Sequence, residues 1–254
     1  MPPTVVLVPG AWHTAACYSR LEPFLNAHGY PTESVNHPSI GAEPPTKTLA
    51  DDVASVRAVL SRLIDDEGKT VVLLGHSYGG VVVSNASDGF GVETRAQQGK
   101  QGGIAVVMYL AAFALQNGVS LFDALGGKWL PWMKFDADYS YSSEQRRIFY
   151  HDVPAALQEE AIAGLRHSSR APFHGAVTHE PWRTMSCAYL FCDDDQGLPL
   201  AVQEKMAGLM EQTAPPANVR TVHLPASHSP FLSMPERTAE TIVRVAGEVG
   251  GAQN

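Results

Sequence analysis

The segment Gly75-His76-Ser77-Tyr78-Gly79 carries the clearest chemical signal in this chain. An apolar run at 71–74 precedes it and suits a buried strand, and a second run at 81–83 can continue as a helix. A Gly-x-Ser-x-Gly segment between a strand and a helix is typical of a strained turn that exposes a serine hydroxyl. Glycines flank the turn because strand and helix approach too closely for a Cβ atom. The pattern predicts that Ser77 is a nucleophile.

A serine hydroxyl becomes an effective nucleophile only when a base takes its proton and an acid orients that base. The acid candidates are Asp193, Asp194 and Asp195, which follow a predicted strand ending at residue 192. The base candidate is His228, in the loop after a predicted strand ending at residue 224. His223 is an alternative, but it falls inside that strand, where a histidine usually has a structural role. The pattern therefore favours His228 as the base.

Apolar, β-branched segments alternate with helical repeats along most of the chain. Strands are predicted at 4–8, 32–35, 70–74, 104–110, 187–192 and 219–224, and helices at 15–27, 49–63, 199–210 and 235–245. Thr48 and Asp51 form a possible capping box at the start of the second helix. This order predicts an α/β fold, a mainly parallel sheet with helices on both faces. Reactive groups then gather at the carboxyl ends of the strands.

Two stretches interrupt the alternation. Residues 114–185 lack a convincing central strand but hold much of the aromatic content, including Trp129 and Trp132. We interpret this stretch as a helical lid, inserted before the strand that carries the acid. Residues 88–103, with Arg95, Lys100 and glycines near the end, are predicted to be a solvated loop.

Composition and charge restrict the class of protein. The 254 residues fit a single domain with the lid at 114–185, and a net charge of −8 without a basic cluster argues against nucleic acid and anionic membranes as partners. No apolar stretch approaches 18 residues and no leader is evident, so a cytoplasmic location is expected. The three cysteines lack metal-ligand spacing. No metal or organic cofactor is expected, and the oligomeric state is not indicated.

Taken together, the motifs resemble the α/β-hydrolase superfamily. The similarity rests on the serine segment, on the acidic loop running into Leu198-Pro199, and on Ser227-His228 followed by 233–236. The segment 8–13 is similar to the branch of plant methyl-ester esterases, pyrethroid-type carboxylesterases and hydroxynitrile lyases. The resemblance implies the α/β-hydrolase fold. It also implies that Asp195, shortly before Leu198-Pro199, is the acid, with Asp193 as the next choice.

The resemblance further implies an oxyanion hole formed by the backbone N–H groups of Ala11 and Tyr78. The substrate-binding residues are expected to be those that flank the serine and those of the lid. These are Trp12, His13, Phe113, Trp129 and Trp132.

The function that these residues indicate is cleavage of a carboxylic ester or lactone of a small, mainly apolar substrate through an acyl-enzyme. A hydroxynitrile lyase is an alternative, although Ala11 stands where those enzymes carry threonine and Ser229 where they carry lysine. Hydrolysis of a carbon–carbon bond by the same triad is another. A ligand-binding receptor with little turnover is a third, which turnover assays would distinguish.

Overall fold

The structure is a computed structural model that describes residues 2–216 and 218–251. Its framework is formed by nine strands in the described residues. In chain order they are β1 Thr4–Val8, β2 Thr32–Ser34, β3 Thr70–His76, β4 Gly103–Leu110, β5 Met133–Asp136, β6 Tyr139–Ser142, β7 Ser168–Ser169, β8 Cys187–Cys192 and β9 Val219–Leu224.

Six of these strands form a parallel sheet in the spatial order β2-β1-β3-β4-β8-β9. Strands β1 and β8 are buried along their whole length, as apolar strands covered on both faces should be, whereas the edge strands β2 and β9 are mostly half-exposed or exposed. All six predicted strands are present, with boundaries that differ by at most two residues. The expected fold class is confirmed.

Helices connect the strands. The α-helices of the described residues are α1 Glu22–Ala27, α2 Leu49–Ser61, α3 Gly79–Ala86, α4 Val92–Gln97, α5 Leu121–Ala124, α6 Gln145–Ile148, α7 Ala155–Gly164, α8 Leu200–Thr213, α9 Pro230–Ser233 and α10 Pro235–Gly251. A π-helical turn, Arg62–Asp66, continues α2, and 3₁₀ turns cover Ala15–Tyr18, Ala171–His174 and Pro181–Arg183. The predicted capping box of Thr48 and Asp51 is present at the start of α2.

One predicted helix is divided. The prediction of a single helix over 15–27 is wrong, because the chain forms a 3₁₀ turn, Ala15–Tyr18, and then α1. Pro23 lies in the first turn of α1. Proline suits that position, since its missing N–H would have no helical partner there, so the second helix begins anew rather than continuing the first.

The insertion between β4 and β8 is not purely helical. Strands β5, β6 and β7 form a small antiparallel sheet within it, beside the short helices α5 and α6 and the longer α7. The two-residue connection of β5 and β6 contains Ala137 with φ +48°. The usual Asn-Gly or Asp-Gly signal for such a turn is missing from the sequence, which is why the hairpin was not predicted.

The stretch 88–103 also differs from the expected loop. It contains α4, and the Arg95 side chain is buried there. Its guanidinium lies 2.8 Å from Asp65 and donates hydrogen bonds to the carbonyls of Gln101 and Gly102. These contacts compensate for burying the charge, so Arg95 anchors the segment and is not a solvent-exposed charge on a loop. None of the helices in the described ranges has the length and apolar character that crossing a bilayer requires.

Candidate active site

Ser77 stands at a sharp turn between β3 and α3. Its φ is +53°, in the left-handed region that residues other than glycine rarely adopt. A Cβ at Gly75 would lie 2.6 Å from the carbonyl oxygen of Gly79, and a Cβ at Gly79 would lie 2.5 Å from that of Val8. Both approaches are closer than a side chain allows, so the two glycines are required for this turn. The half-buried serine is thereby presented at the carboxyl end of the sheet.

A histidine and an aspartate meet beside this turn. His228 follows β9, and its Nδ1 lies 2.7 Å from Oδ2 of Asp195, which follows β8. Both side chains are almost completely buried. Oδ1 of Asp195 accepts hydrogen bonds from the backbone N–H groups of Gly197 and Leu198, at 2.7 and 2.8 Å. Since the carboxylate accepts from Nδ1, the other ring nitrogen, Nε2, is available to take a proton.

The other acid and base candidates form a separate pair. His223 Nδ1 lies 2.6 Å from Asp193 Oδ1, but half of the histidine side chain is exposed and neither residue lines the cavity at Ser77. The structure therefore brings Asp195, and not Asp193, to His228.

A small cavity connects the serine with the histidine. Its volume is about 30 Å³, and the side chains that line it, apart from the serine and the histidine, are aliphatic or aromatic. The lining residues predicted from sequence are Ala11, Trp12, Ser77, Tyr78, Phe113, Trp132 and His228, and those added by the structure are Leu121, Leu125, Leu130, Met133, Phe173, Gly197 and Leu198. The cavity thus lies between the sheet and the insertion.

Two backbone donors point to the chemistry of this cavity. The N–H groups of Ala11 and Tyr78 make no hydrogen bond to any other described residue. Both residues line the cavity with Ser77. Unpaired donors beside a serine hydroxyl are the arrangement from which an oxyanion hole could be built. In the ranges 2–216 and 218–251, no three His, Cys, Asp or Glu side chains are grouped as a metal site would need.

His13 does not line this cavity, contrary to expectation. Its Nδ1 lies 2.8 Å from the Ala11 carbonyl and its Nε2 lies 2.7 Å from the Tyr150 hydroxyl. Because a carbonyl only accepts, Nδ1 carries the proton and Nε2 accepts from the tyrosine. Burial lowers the pKa of His13 to about 4, so the ring is neutral. His13 instead borders a larger cleft of about 230 Å³ next to α7, which does not include Ser77.

Trp129 also lies outside the cavity. Its ring packs 4.5 Å from Phe122 and 4.4 Å from Phe135, measured between centroids, and the guanidinium of Arg170 lies 5.6 Å away. No helix forms over 129–132, so a spacing of three does not place Trp129 on the same side as Trp132. Trp132 faces inward, with its ring 5.7 Å from that of Trp12.

Two further residues support the Asp195–His228 pair, and of these sequence reasoning missed Gln203. Gln203, fully buried on α8, holds the acidic loop through hydrogen bonds to Cys192 and Leu198 and through a longer one to Asp195. His76 Nε2 donates to the carbonyl of His228 at 2.8 Å. Burial, and next the proximity of the ionisable rings of His228 and His13, holds the pKa of His76 well below its usual range, so this ring is a neutral donor. A polar residue within an apolar pattern was the available signal for Gln203.

Comparison with known proteins gives consistent matches. The model of the alpha/beta hydrolase family matches residues 5–241. An alpha/beta hydrolase of Aspergillus novofumigatus, nvfD, is 28% identical over 251 residues and the match covers 97% of each chain. A pyrethroid hydrolase of Sphingobium wenxiniae is 28% identical over 263 residues, which covers 95% of this chain and 87% of that protein.

Solved structures show the same architecture. A crystal structure of a pyrethroid hydrolase superposes with a TM-score of 0.76 at 25% identity, covering 97% of this chain and 98% of that one. Polyneuridine aldehyde esterase superposes with a TM-score of 0.76 at 20% identity, covering 97% and 100%, which shows the fold alone.

Proposed function

Since this chain belongs to the alpha/beta hydrolase family, we propose that it is a serine carboxylic ester hydrolase acting on small, neutral, apolar esters or lactones. One observation carries the proposal. Ser77, which has a left-handed backbone conformation, lines the same apolar cavity as His228, and Nδ1 of His228 is hydrogen-bonded to the buried carboxylate of Asp195. Nucleophile, base and orienting acid in this relation are the parts that acyl transfer needs.

In the acylation half, the Ser77 oxygen attacks the ester carbonyl carbon and its proton passes to Nε2 of His228. No hydrogen bond joins the Ser77 hydroxyl to another described residue, so the contact with the histidine forms when substrate is bound, as is common for catalytic hydrogen bonds. The carbonyl oxygen becomes an oxyanion, and the N–H groups of Ala11 and Tyr78 stabilise it. The intermediate then expels the alcohol, which takes the proton from His228.

In the deacylation half, water attacks the carbonyl carbon of the acyl-serine. His228 accepts a proton from this water and returns it to the Ser77 oxygen when the carbon–oxygen bond to the enzyme breaks. The products are a carboxylic acid and the original enzyme. Throughout, Asp195 accepts the Nδ1 hydrogen of His228, which keeps the ring in position and stabilises the imidazolium that forms.

The cavity lining supports the substrate class. Among the described residues, no Lys, Arg, Asp or Glu side chain lines it, so a charged acyl or alcohol group would lose hydration without gaining a partner. The pyrethroid hydrolase relative, matched over nearly the whole chain, supports hydrolysis of a small organic molecule. A volume of about 30 Å³ is room for about two waters, which suits a small substrate better than a large one.

A screen of aryl, alkyl and lactone esters with the purified protein tests the proposal. Wild type should cleave neutral apolar esters, and Ser77→Ala should lower kcat by roughly 10⁴-fold or more while remaining folded, because nucleophile and base act as a unit. A fluorophosphonate should label Ser77 alone. Ser87→Ala is the matched control, since this buried serine ends α3 but does not line the cavity.

The same screen distinguishes the alternatives. Ester turnover that persists within tenfold of wild type in Ser77→Ala would reject the triad. Turnover of cyanohydrins or of carbon–carbon substrates, without ester cleavage, would indicate a lyase or a carbon–carbon hydrolase. Binding without turnover of any of them would indicate a receptor.

A further inference from the structure

A carboxylate is buried on the apolar side of α2, next to the catalytic turn. Asp52 has no exposed surface and lies on the side of α2 that also buries Leu49, Val56 and Leu60. Charged side chains are rarely buried without partners, because their dehydration is costly. Asp52 accepts hydrogen bonds from the backbone N–H of Ser39 at 2.9 Å, from the Ser39 hydroxyl at 2.7 Å, and from the Tyr78 hydroxyl at 2.7 Å.

The bond to Tyr78 reaches the residue directly after the nucleophile. Burial, and next the charge of Asp52, raise the pKa of Tyr78 well above its usual range, so its hydroxyl remains a donor to the carboxylate. The ring is thus held at its far end by Asp52 and at its near end by the backbone. That backbone carries one of the two N–H groups assigned to the oxyanion hole. An anchored ring restricts how this N–H can rotate away from the substrate.

The other N–H group, that of Ala11, is restrained by a residue that packs against the Tyr78 ring. His37 Nε2 donates to the carbonyl of Pro9 at 2.8 Å, two residues before Ala11. Burial lowers the pKa of His37, so the ring is neutral and the carbonyl accepts its hydrogen. The His37 ring packs edge-on against the Tyr78 ring, with centroids 5.3 Å apart. The turn after β1 and the turn after β3 are therefore supported by side chains that touch one another.

We propose that Asp52, Ser39, His37 and the Tyr78 side chain, here named the support cluster, position both donors of the oxyanion hole. The inference rests on the proposed ester hydrolysis. These are positioning residues, since they act through the backbone of Ala11 and Tyr78 and not on the reacting atoms. Their effect falls on the transition state, where the oxyanion exists, and not on ground-state binding of the ester.

Tyr78→Phe tests the cluster, because it removes one hydroxyl while keeping the ring and the backbone N–H. We expect kcat to fall about tenfold with KM changed by less than twofold, since a loosened donor loses part of the effect of a deleted one. Affinity for a trifluoromethyl ketone, which forms a tetrahedral oxyanion on the serine, should fall by the same factor as kcat/KM. Tyr109→Phe is the matched control: its buried hydroxyl bonds to Ser84, and it does not line the cavity.

The rate at which a fluorophosphonate labels Ser77 gives a second measurement that needs no ester substrate. We expect Tyr78→Phe to slow labelling and Tyr109→Phe to leave it unchanged. If Tyr78→Phe matches Tyr109→Phe in kcat, in ketone affinity and in labelling, the inference is overturned while ester hydrolysis stands. A raised KM with unchanged kcat would also overturn it. If wild type neither cleaves esters nor is labelled, the proposed function fails and the inference fails with it.

Discussion

Two aspartates in one loop illustrate how position decides the chemistry of a residue. Asp193 and Asp195 each bond a histidine, at 2.6 and 2.7 Å. The pair of Asp193 and His223 is half-exposed, where water and salt screen the attraction. The pair of Asp195 and His228 is buried beside Ser77, where an unscreened carboxylate can orient the ring and stabilise its charged form.

Asparagine substitutions in this loop separate the two pairs. Asp195→Asn should lower kcat for ester cleavage by roughly 10⁴-fold, because an amide that donates to Nδ1 leaves the hydrogen on Nε2, which then cannot accept the serine proton. Asp193→Asn should stay within about twofold of wild type. Steady-state kinetics on the same ester decide the ranking, and a severe loss in Asp193→Asn with a mild one in Asp195→Asn would reverse the assignment of the acid.

At the level of elements, the insertion is fastened to the turn that follows β1. The carbonyl of Trp12 accepts the N–H of Arg166 at 2.9 Å, and its indole N–H donates to the Ser140 hydroxyl at 3.2 Å. Trp12 itself has φ +66°. The small sheet of the insertion therefore packs directly on the segment that carries the Ala11 N–H. Trp132 extends this inner contact, whereas Trp129 belongs to an outer aromatic group with Phe122 and Phe135.

The two tryptophans should respond differently to replacement by alanine. Trp132→Ala removes a wall of the cavity, so KM for bulky apolar esters should rise several-fold while a small acetate ester is little affected. Trp129→Ala removes packing outside the cavity, where its ring also touches the outer side of the lining through Phe173, so Tm should fall by about 3 °C or more while KM changes less than in Trp132→Ala. Thermal unfolding beside a two-substrate comparison of KM provides the measurement. Equal loss on both substrates in Trp132→Ala would exclude a role in specificity.

At the scale of the whole molecule, three histidines within the described ranges are buried in a neutral form. His13, His37 and His76 each have a pKa lowered by burial, in the case of His13 to about 4 from an ordinary value near 6.5. Between these two values the unfolded chain binds a proton at this position and the folded chain does not. The contribution of the neutral His13 to folding stability is therefore fully present above about pH 6.5 and is lost as the pH falls towards 4.

Urea unfolding at pH 7 and pH 5 measures this loss. Because the His13 contribution is lost on acidification, the free energy of unfolding should be about 2 kcal/mol lower at pH 5 than at pH 7 from this residue alone. His13→Gln should reduce the difference between the two pH values by that amount, whatever its effect at pH 7. His28→Gln, at an exposed position, is the control and should leave the difference as in wild type. A pH difference in His13→Gln equal to that of wild type would contradict the buried neutral state.

The sequence by itself determined the features that depend on neighbouring residues. The six central strands and α2 with its capping box follow from local periodicity, and the turn at Ser77 follows from glycines two residues on either side. Parallel strands place their following loops at one edge, so the serine, the acidic loop and the loop of His228 were expected to gather there. Among the acid candidates, the residues alone did not choose, and the preference for Asp195 came from the resemblance.

The tertiary structure alone decided the features that depend on contacts between distant segments. Pairing of β6 with β7 joins residues nearly thirty positions apart in the sequence. The hairpin of β5 and β6 lacks a strong turn signal in its sequence. Trp129 and Trp132 have the same residue type and opposite surroundings, because the chain between them is not helical. In the sequence, Asp52 is indistinguishable from the other acidic residues of α2, and only the tertiary structure places Ser39 and Tyr78 within hydrogen-bonding distance of it. Burial converts such a group from a solvated charge into a structural anchor, and burial is a property of the packed chain, which no local pattern specifies.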